Sequence, residues 1–103
     1  MKFCATVDMD NYREYRSLID PDGEDADLSF YSDAVPRFLD AFDRHAIHAT
    51  FFVIGRDLDR ADHRRIVRDI HERGHEVANH SWSHPYNLRS LDRATQVAEV
   101  ARA

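Results

Sequence analysis

Cysteine is all but missing from this chain of 103 residues: Cys4 stands alone, so no intrachain disulfide can form and nothing marks an oxidising compartment. Long apolar runs are missing too. The stretch from Phe3 to Val7 stops at Asp8, which is shorter than the core of a secretory signal. No segment approaches the roughly 20 apolar residues that span a bilayer. A basic stripe is also lacking. The formal net charge is −5, and Arg64, Arg65 and Arg68 alternate with Asp62 and Asp69, which reads as a solvated helix face and not as a nucleic-acid surface. The acidic run Asp22 to Asp27 has neither the spacing nor the glycine position of an EF-hand loop. What remains is one small domain with a modest core, cytoplasmic by default, in which Cys4 reads as a buried, inert thiol in a strand.

Two hydrophobic periods alternate along the chain. Lys2 to Asp8 reads as a short strand, and Met9 to Ser29 as a long loop with a strong turn at Asp20-Pro21-Asp22-Gly23. A loop of that length in a compact domain is expected to have a job, such as covering a site. A helix is expected from Ser32 as N-cap, with Pro36 in its first turn and Val35, Phe38, Leu39 and Phe42 on one face. Ile47 to Ile54 reads as a strand buried on both faces, with Phe51 and Phe52 in the core, and Gly55 ends it. A second helix is expected over Arg60 to Arg73, with Ile66, Val67 and Ile70 inward and Gly74 at C′. His75 to Asn79 reads as the third strand. Ser90 is expected to cap a last helix that turns Leu91, Ala94, Val97, Ala98 and Ala101 inward. The order βαβαβα predicts an α/β fold of three βα units on a parallel sheet, with chemistry at the C-terminal ends of the strands.

The residues that carry chemistry gather at those ends. His80 and His84 are four apart, a spacing that puts two imidazoles on one side of a helical turn, where they can share a cation. Asp8 and Asp10 close the first strand, and residues i and i+2 of a strand project to the same face. Two histidines and two carboxylates at one rim point to a metal-dependent hydrolase. Taken alone, each piece has a blander reading. The histidines could be surface residues, and Asp8-Met9-Asp10 a strand-end turn or the D-x-D of a nucleotide-sugar glycosyltransferase. Trp82 is expected to pack under the loop in preference to flooring a groove, and His75 to make a structural hydrogen bond. His45, His48, His63 and His71 are given no chemistry.

Three segments in order, Thr6-Val7-Asp8-Met9-Asp10, His48-Ala49-Thr50-Phe51-Phe52-Val53-Ile54-Gly55 and Arg73-Gly74-His75-Glu76-Val77-Ala78-Asn79-His80-Ser81-Trp82-Ser83-His84-Pro85, resemble the NodB-type polysaccharide deacetylase family. The resemblance implies a distorted (β/α) barrel, of which three units make only a part. It implies hydrolysis of amide C–N bonds, typically removal of N-acetyl groups from amino sugars. It also implies one divalent metal ion, zinc before cobalt, nickel or manganese, held by an aspartate and two histidines. By position His80 and His84 match the histidine ligands. Met9 separates the two aspartates that the common family form has side by side, so Asp10 is assigned as ligand and Asp8 as general base, with the reversed assignment left open.

The family's later motifs, including the histidine acid, are not found before Ala103. Residues 1–103 therefore read as the N-terminal part of the domain, apparently truncated, and the isolated chain is expected to bind metal weakly and to be a poor deacetylase or inactive. Two other classes stay open: a small-molecule C–N hydrolase, with Tyr12 and Tyr15 of the long loop shaping its pocket, and a non-catalytic remnant or interaction module. The expected partner is a glycan or small amide, with no nucleic acid and no membrane. Substrate identity and oligomeric state are not legible.

Overall fold

The computed structural model describes residues 3–10 and 30–103. Most of the expected long loop lies outside the described residues, and with it Tyr12, Tyr15, the Asp20–Gly23 turn and the Asp22–Asp27 run. Three strands, β1 (Ala5–Asp8), β2 (Ala49–Val53) and β3 (Glu76–Asn79), form one parallel sheet in the order β1-β2-β3. Parallel neighbours cannot be joined by a tight turn, and helix-length crossovers link them. α1 (Val35–His45) leads into β2, α2 (Ala61–Glu72) into β3, and α3 (Arg93–Ala101) follows the third strand. This is the expected α/β order, and each strand is shorter than its expected span; β1 starts at Ala5, so Cys4 lies just outside it and is exposed, not buried. Three parallel strands do not close a barrel. No described helix is long and apolar enough to cross a membrane.

Register decides which side chains meet. Val7, Phe51 and Val77 lie abreast on one face, and Asp8, Phe52 and Ala78 on the other. The first face holds the core: Val7, Ala49, Phe51 and Val53 pack against Val35 and Leu39 of α1 and Ile70 of α2, with Met9 and Tyr31 closing one end. Fully burying side chains such as Phe51, Leu39 and Ile70 stabilises by roughly 1.5–3 kcal/mol each. The second face is largely open among the described residues, with Thr6, Asp8 and Glu76 exposed and Thr50 and Phe52 half-buried. β2 is therefore not buried on both faces, and Phe52 is not core, because α1 and α2 pack on one side of the sheet. Thr50 Oγ1 instead donates to Glu76 Oε2 across that open face at 2.6 Å.

The helix ends depart from expectation in instructive ways. α1 starts at Val35, not at Ser32. A wide helical turn over Phe30–Ala34 feeds straight into it, so no side chain caps it, and the Ser32 hydroxyl donates to its neighbour Asp33. Val35 and Leu39 are buried as expected, whereas Phe38 is 39% exposed at the margin of that face. α2 ends on Gly74 at φ 85°, with Gly74 N–H donating to His71 C=O and His75 N–H to Ile70 C=O, the double bond of a Schellman motif. α1 ends in the same pattern, Ala46 N–H to Asp43 C=O and Ile47 N–H to Phe42 C=O, but with alanine at φ 52°. A Cβ in that conformation costs about 1–2 kcal/mol. α3 is capped by Asp92, whose carboxylate accepts from the Thr95 N–H and hydroxyl, because Ser90 is already used in the preceding Leu88–Ser90 turn. Of its expected inner face Leu91 is half-buried, whereas Ala94, Val97, Ala98 and Ala101 are exposed, as is Val100.

His75 makes the structural contact expected of it. It is buried, and the Ala49 N–H donates to its Nδ1 at 3.2 Å. Nε2 must then carry the ring proton, and it lies buried without a partner beside the Phe42 and Phe51 rings. Burial is the main cause that pushes this imidazole below the usual histidine value of 6.5. The folded state therefore refuses a proton that the unfolded chain takes up. The stability due to neutral His75 is full above about pH 6.5 and falls as pH drops through its lower folded value.

Urea unfolding at pH 7.5 and 5.5 is expected to show the wild type losing stability on acidification, with a smaller loss in His75→Gln; equal losses would count against this account. Replacing Ala46 by glycine is expected to raise unfolding free energy by about 0.5–1 kcal/mol, read from the urea midpoint at unchanged slope.

Candidate metal centre

Asp10 Oδ1, His80 Nε2 and His84 Nε2 converge at the C-terminal end of the sheet. Asp10 stands 3.1 Å from His80 and 3.6 Å from His84, and one ligand atom from each of the three residues lies within 4.8 Å of the others. All three side chains are partly buried. Among the described residues this is the one such grouping of His, Cys, Asp and Glu.

Each residue arrives there by a local cause. Met9 is fully buried in the core, so its chain neighbours Asp8 and Asp10 face the other way. β1 ends at Asp8, and the Met9 N–H continues the ladder by donating to Phe52 C=O at 2.9 Å, which carries Asp10 just past the strand. His80 follows β3 directly. Its N–H donates to Val53 C=O at 3.0 Å, and its ring leans on Phe52. Asp8 is exposed on the open face and is not one of the three converging groups.

The histidine pair is not on a helical turn. Residues 80–85 form an irregular loop in which Ser81 and His84 adopt left-handed backbone, at φ 62° and 51°. Such conformations cost on the order of 1–3 kcal/mol apiece outside glycine, so surrounding contacts must hold them. Asn79 Oδ1 accepts from Ser81 N–H, and Ser81 Oγ accepts from His84 N–H. Gly55 and Arg56, just past β2, donate their N–H groups to the carbonyls of Ser81 and Trp82 at 3.0 and 2.9 Å. Trp82 packs as expected of it. Its ring edge lies where a Cβ on Gly55 would meet it at 2.9 Å, and the Arg102 guanidinium sits over the ring.

Residues that the sequence reading passed over complete the loop. Glu99 of α3 accepts from both the N–H and the hydroxyl of Ser83 at 2.8 Å, and its main-chain carbonyl accepts from Trp82 N–H at 2.7 Å. Burial alone would raise the Glu99 carboxyl. The Ser83 and Trp82 donors, with the nearby Arg56 charge, outweigh that and leave it below the ordinary carboxylate value. Asn79 Nδ2 donates to Val100 C=O, and Gln96 Nε2 to the carbonyls of Leu88 and Leu91. The signal was available: Gln96 and Glu99 are three apart on a helix that directly follows the histidine loop. The other histidines play no part at this centre. His63 is buried, stacked on Tyr31 at 3.8 Å, with Nδ1 against Asp57 C=O. His48 Nδ1 meets Gly74 C=O.

The donor set suits a borderline divalent cation. Bonds of about 2.0–2.2 Å in tetrahedral array separate neighbouring ligand atoms by roughly 3.3–3.5 Å, and the two distances from Asp10 straddle that value. Hydrogen bonding explains less. At 3.6 Å His84 Nε2 is too far from Asp10 for one, and its Nδ1 is buried without a partner. Two imidazoles and a carboxylate favour zinc and its neighbours over magnesium or calcium. A cleft of about 510 Å³ beside the histidines is lined by Ser81, Pro85, Leu88 and Val100 among others.

Comparison with known proteins gives this geometry a family. The polysaccharide deacetylase profile matches residues 22–103, a stretch that holds both histidines and begins after Asp8 and Asp10. A chitooligosaccharide deacetylase of Sinorhizobium fredii is 40% identical over 72 residues, covering 66% of this chain and 32% of the relative. A peptidoglycan-N-acetylglucosamine deacetylase of Bacillus cereus is 36% identical over 66 residues, 64% of this chain and 22% of the relative. An uncharacterized protein of Geobacillus stearothermophilus is 47% identical over 49 residues, 48% of this chain and 18% of the relative. The chain thus spans a third or less of the length of these relatives. No solved structure gives a significant match. With the profile covering most of its length, from residue 22 to 103, the chain belongs to the polysaccharide deacetylase family.

Proposed function

We propose that this chain carries the metal-holding and proton-accepting side of a glycan N-deacetylase site. Asp10, His80 and His84 hold one divalent cation, zinc first, and Asp8 is the general base. The observation that carries the reading is the meeting of Asp10 with two imidazoles from a loop 70 residues away in sequence, at spacings that one cation can bridge. When bound, such a cation supplies Lewis-acid polarisation of an amide carbonyl and lowers the pKa of water from about 15.7 toward roughly 7.

The chain's own residues supply the rest. Asp8 is an exposed carboxylate on the same side of β1 as Asp10, so it is accessible to a water and takes that water's proton as the water attacks. Asp10, partly buried, keeps its carboxylate turned to the two imidazoles. His84 Nε2 stands 3.6 Å from Asp10, a spacing that one shared cation bridges. Family membership, together with relatives named for chitooligosaccharide and peptidoglycan deacetylation, supports an N-acetylated amino-sugar polymer as the substrate class. In this reading the three-stranded sheet is the opening arc of the family's distorted (β/α) barrel, and residues 1–103 are the N-terminal part of that domain.

Titration of the metal-stripped chain with cobalt(II), followed by absorbance, tests the ligand set. His80→Ala, His84→Ala and Asp10→Asn are each expected to weaken binding at least tenfold, since even a residue that only supports a ligand costs about 10–100-fold. Asp8→Asn is expected to bind within about threefold of wild type. Strong loss in Asp8→Asn with none in Asp10→Asn would reverse the two assignments, and retention of binding in His80→Ala would end the reading. Whatever turnover the chain shows on N-acetylated chito-oligosaccharide is expected to fall about 10²–10⁴-fold in Asp8→Asn, measured as acetate released.

A further inference from the structure

Among the described residues α3 docks through its polar side. Its half-buried residues are Thr95, Gln96 and Glu99, while Val97 and Val100 face solvent. A helix docked for hydrophobic gain presents the opposite pattern. The hydrogen bonds from the polar side of α3 go mainly to the segment from Asn79 to Leu91, which carries both histidines, and the Arg56 charge lies near Glu99 as well. Glu99 meets Ser83 with both carboxylate oxygens and Trp82 with its main-chain carbonyl, Val100 C=O takes Asn79, and Arg102 stacks on Trp82.

We propose that Glu99 is a positioning residue, clamping Ser83 so that the left-handed backbone at Ser81 and His84 turns both imidazoles toward Asp10. The proposal takes the metal site proposed above as its setting. Ser83 lies between the two histidines, and its N–H and hydroxyl are both taken by Glu99, so the loop cannot relax at its midpoint while that contact stands. Glu99 touches neither imidazole and acts only through the loop. The two left-handed residues have no glycine to ease them, and their other restraints come from Asn79, from Ser81 itself and from the main chain of Gly55 and Arg56. Among these contacts, Glu99 is the ionised one that accepts twice, and charge-assisted hydrogen bonds are roughly twice as strong as neutral ones.

The test uses the 103-residue chain as wild type, Glu99→Ala, Glu99→Gln and Ser83→Ala. Two readouts are taken: cobalt(II) affinity with its visible d–d spectrum, and the imidazole nitrogen resonances of His80 and His84 in the metal-free chain. Glu99→Ala is expected to weaken cobalt(II) binding about 10- to 100-fold, to alter the d–d bands and to shift both metal-free imidazole signals. Glu99→Gln is expected to recover most of the loss, because its amide accepts from the Ser83 N–H and donates to the hydroxyl, which can rotate to accept. Ser83→Ala, which deletes one arm, is expected to fall between. Wild-type affinity, spectrum and imidazole signals in a folded Glu99→Ala overturn the proposal. If that variant does not fold, unchanged readouts in Ser83→Ala overturn it. Should the wild type bind no cobalt(II), the metal reading of the site falls, and the metal-free imidazole signals alone decide the clamp: shifted in Glu99→Ala or Ser83→Ala they support it, unshifted they end it.

Discussion

Everything at the candidate centre depends on two adjacent carbonyls of β2. Successive carbonyls of a strand point to opposite edges, so Phe52 C=O accepts from Met9 N–H on one side and Val53 C=O accepts from His80 N–H on the other. Those two bonds fix the residues from which Asp10 and the histidine loop depart. Asp10 and His80 lie 70 residues apart in sequence, yet one strand width on either side of β2 sets their meeting. The core serves the same end. Phe51 and Val53 anchor β2 to the helices from one face, while Met9, also buried there, turns its flanking carboxylates to the opposite face.

Legibility in the sequence followed the physical range of each determinant. β2 could be read because Ala49 to Ile54 is an unbroken run of strand formers, and α2 could be read to its end because Gly74 marks a left-handed C′ position. The equivalent stop after α1 was hidden, since Ala46 adopts the same conformation without the residue type that announces it. The starts of α1 and α3 were misplaced by the same error, in which a nearby serine was credited with a cap. Ser32 and Ser90 are each engaged in a preceding turn that only the fold reveals. Burial of β2 on both faces was over-read because a continuous apolar run does not say whether helices lie on one side of a sheet or on both.

At the candidate site, the spacing in sequence pointed to side chains that do converge, Asp10, His80 and His84, while the backbone that brings them together was not legible. The spacing of His80 and His84 fitted a helical turn, and the structure reaches the same proximity through two left-handed residues in a loop. Spacing reports which side chains can meet, and several backbones satisfy it. Glu99 escaped notice for a different reason. In α3 the apolar residues suggested an inward face, and a reading based on hydrophobic period has no way to see a helix whose docking is polar. The error at α3 and the missed residue at the site are therefore one error.

That polar docking also has a thermodynamic side. Within the described residues α3 is held to the histidine loop chiefly by hydrogen bonds, and Val97 and Val100 stay exposed, so its docking there draws little on apolar burial. Its docking equilibrium and any binding equilibrium at His80 and His84 share the conformation of residues 79–84 and are linked. Linkage is reciprocal: by whatever factor docked α3 tightens the grip of the imidazoles on a ligand, that ligand tightens the docking of α3. Docking of α3 and the conformation of residues 79–84 are thus two sides of one equilibrium, carried by the contacts of Glu99 and Val100 with Ser83, Trp82 and Asn79.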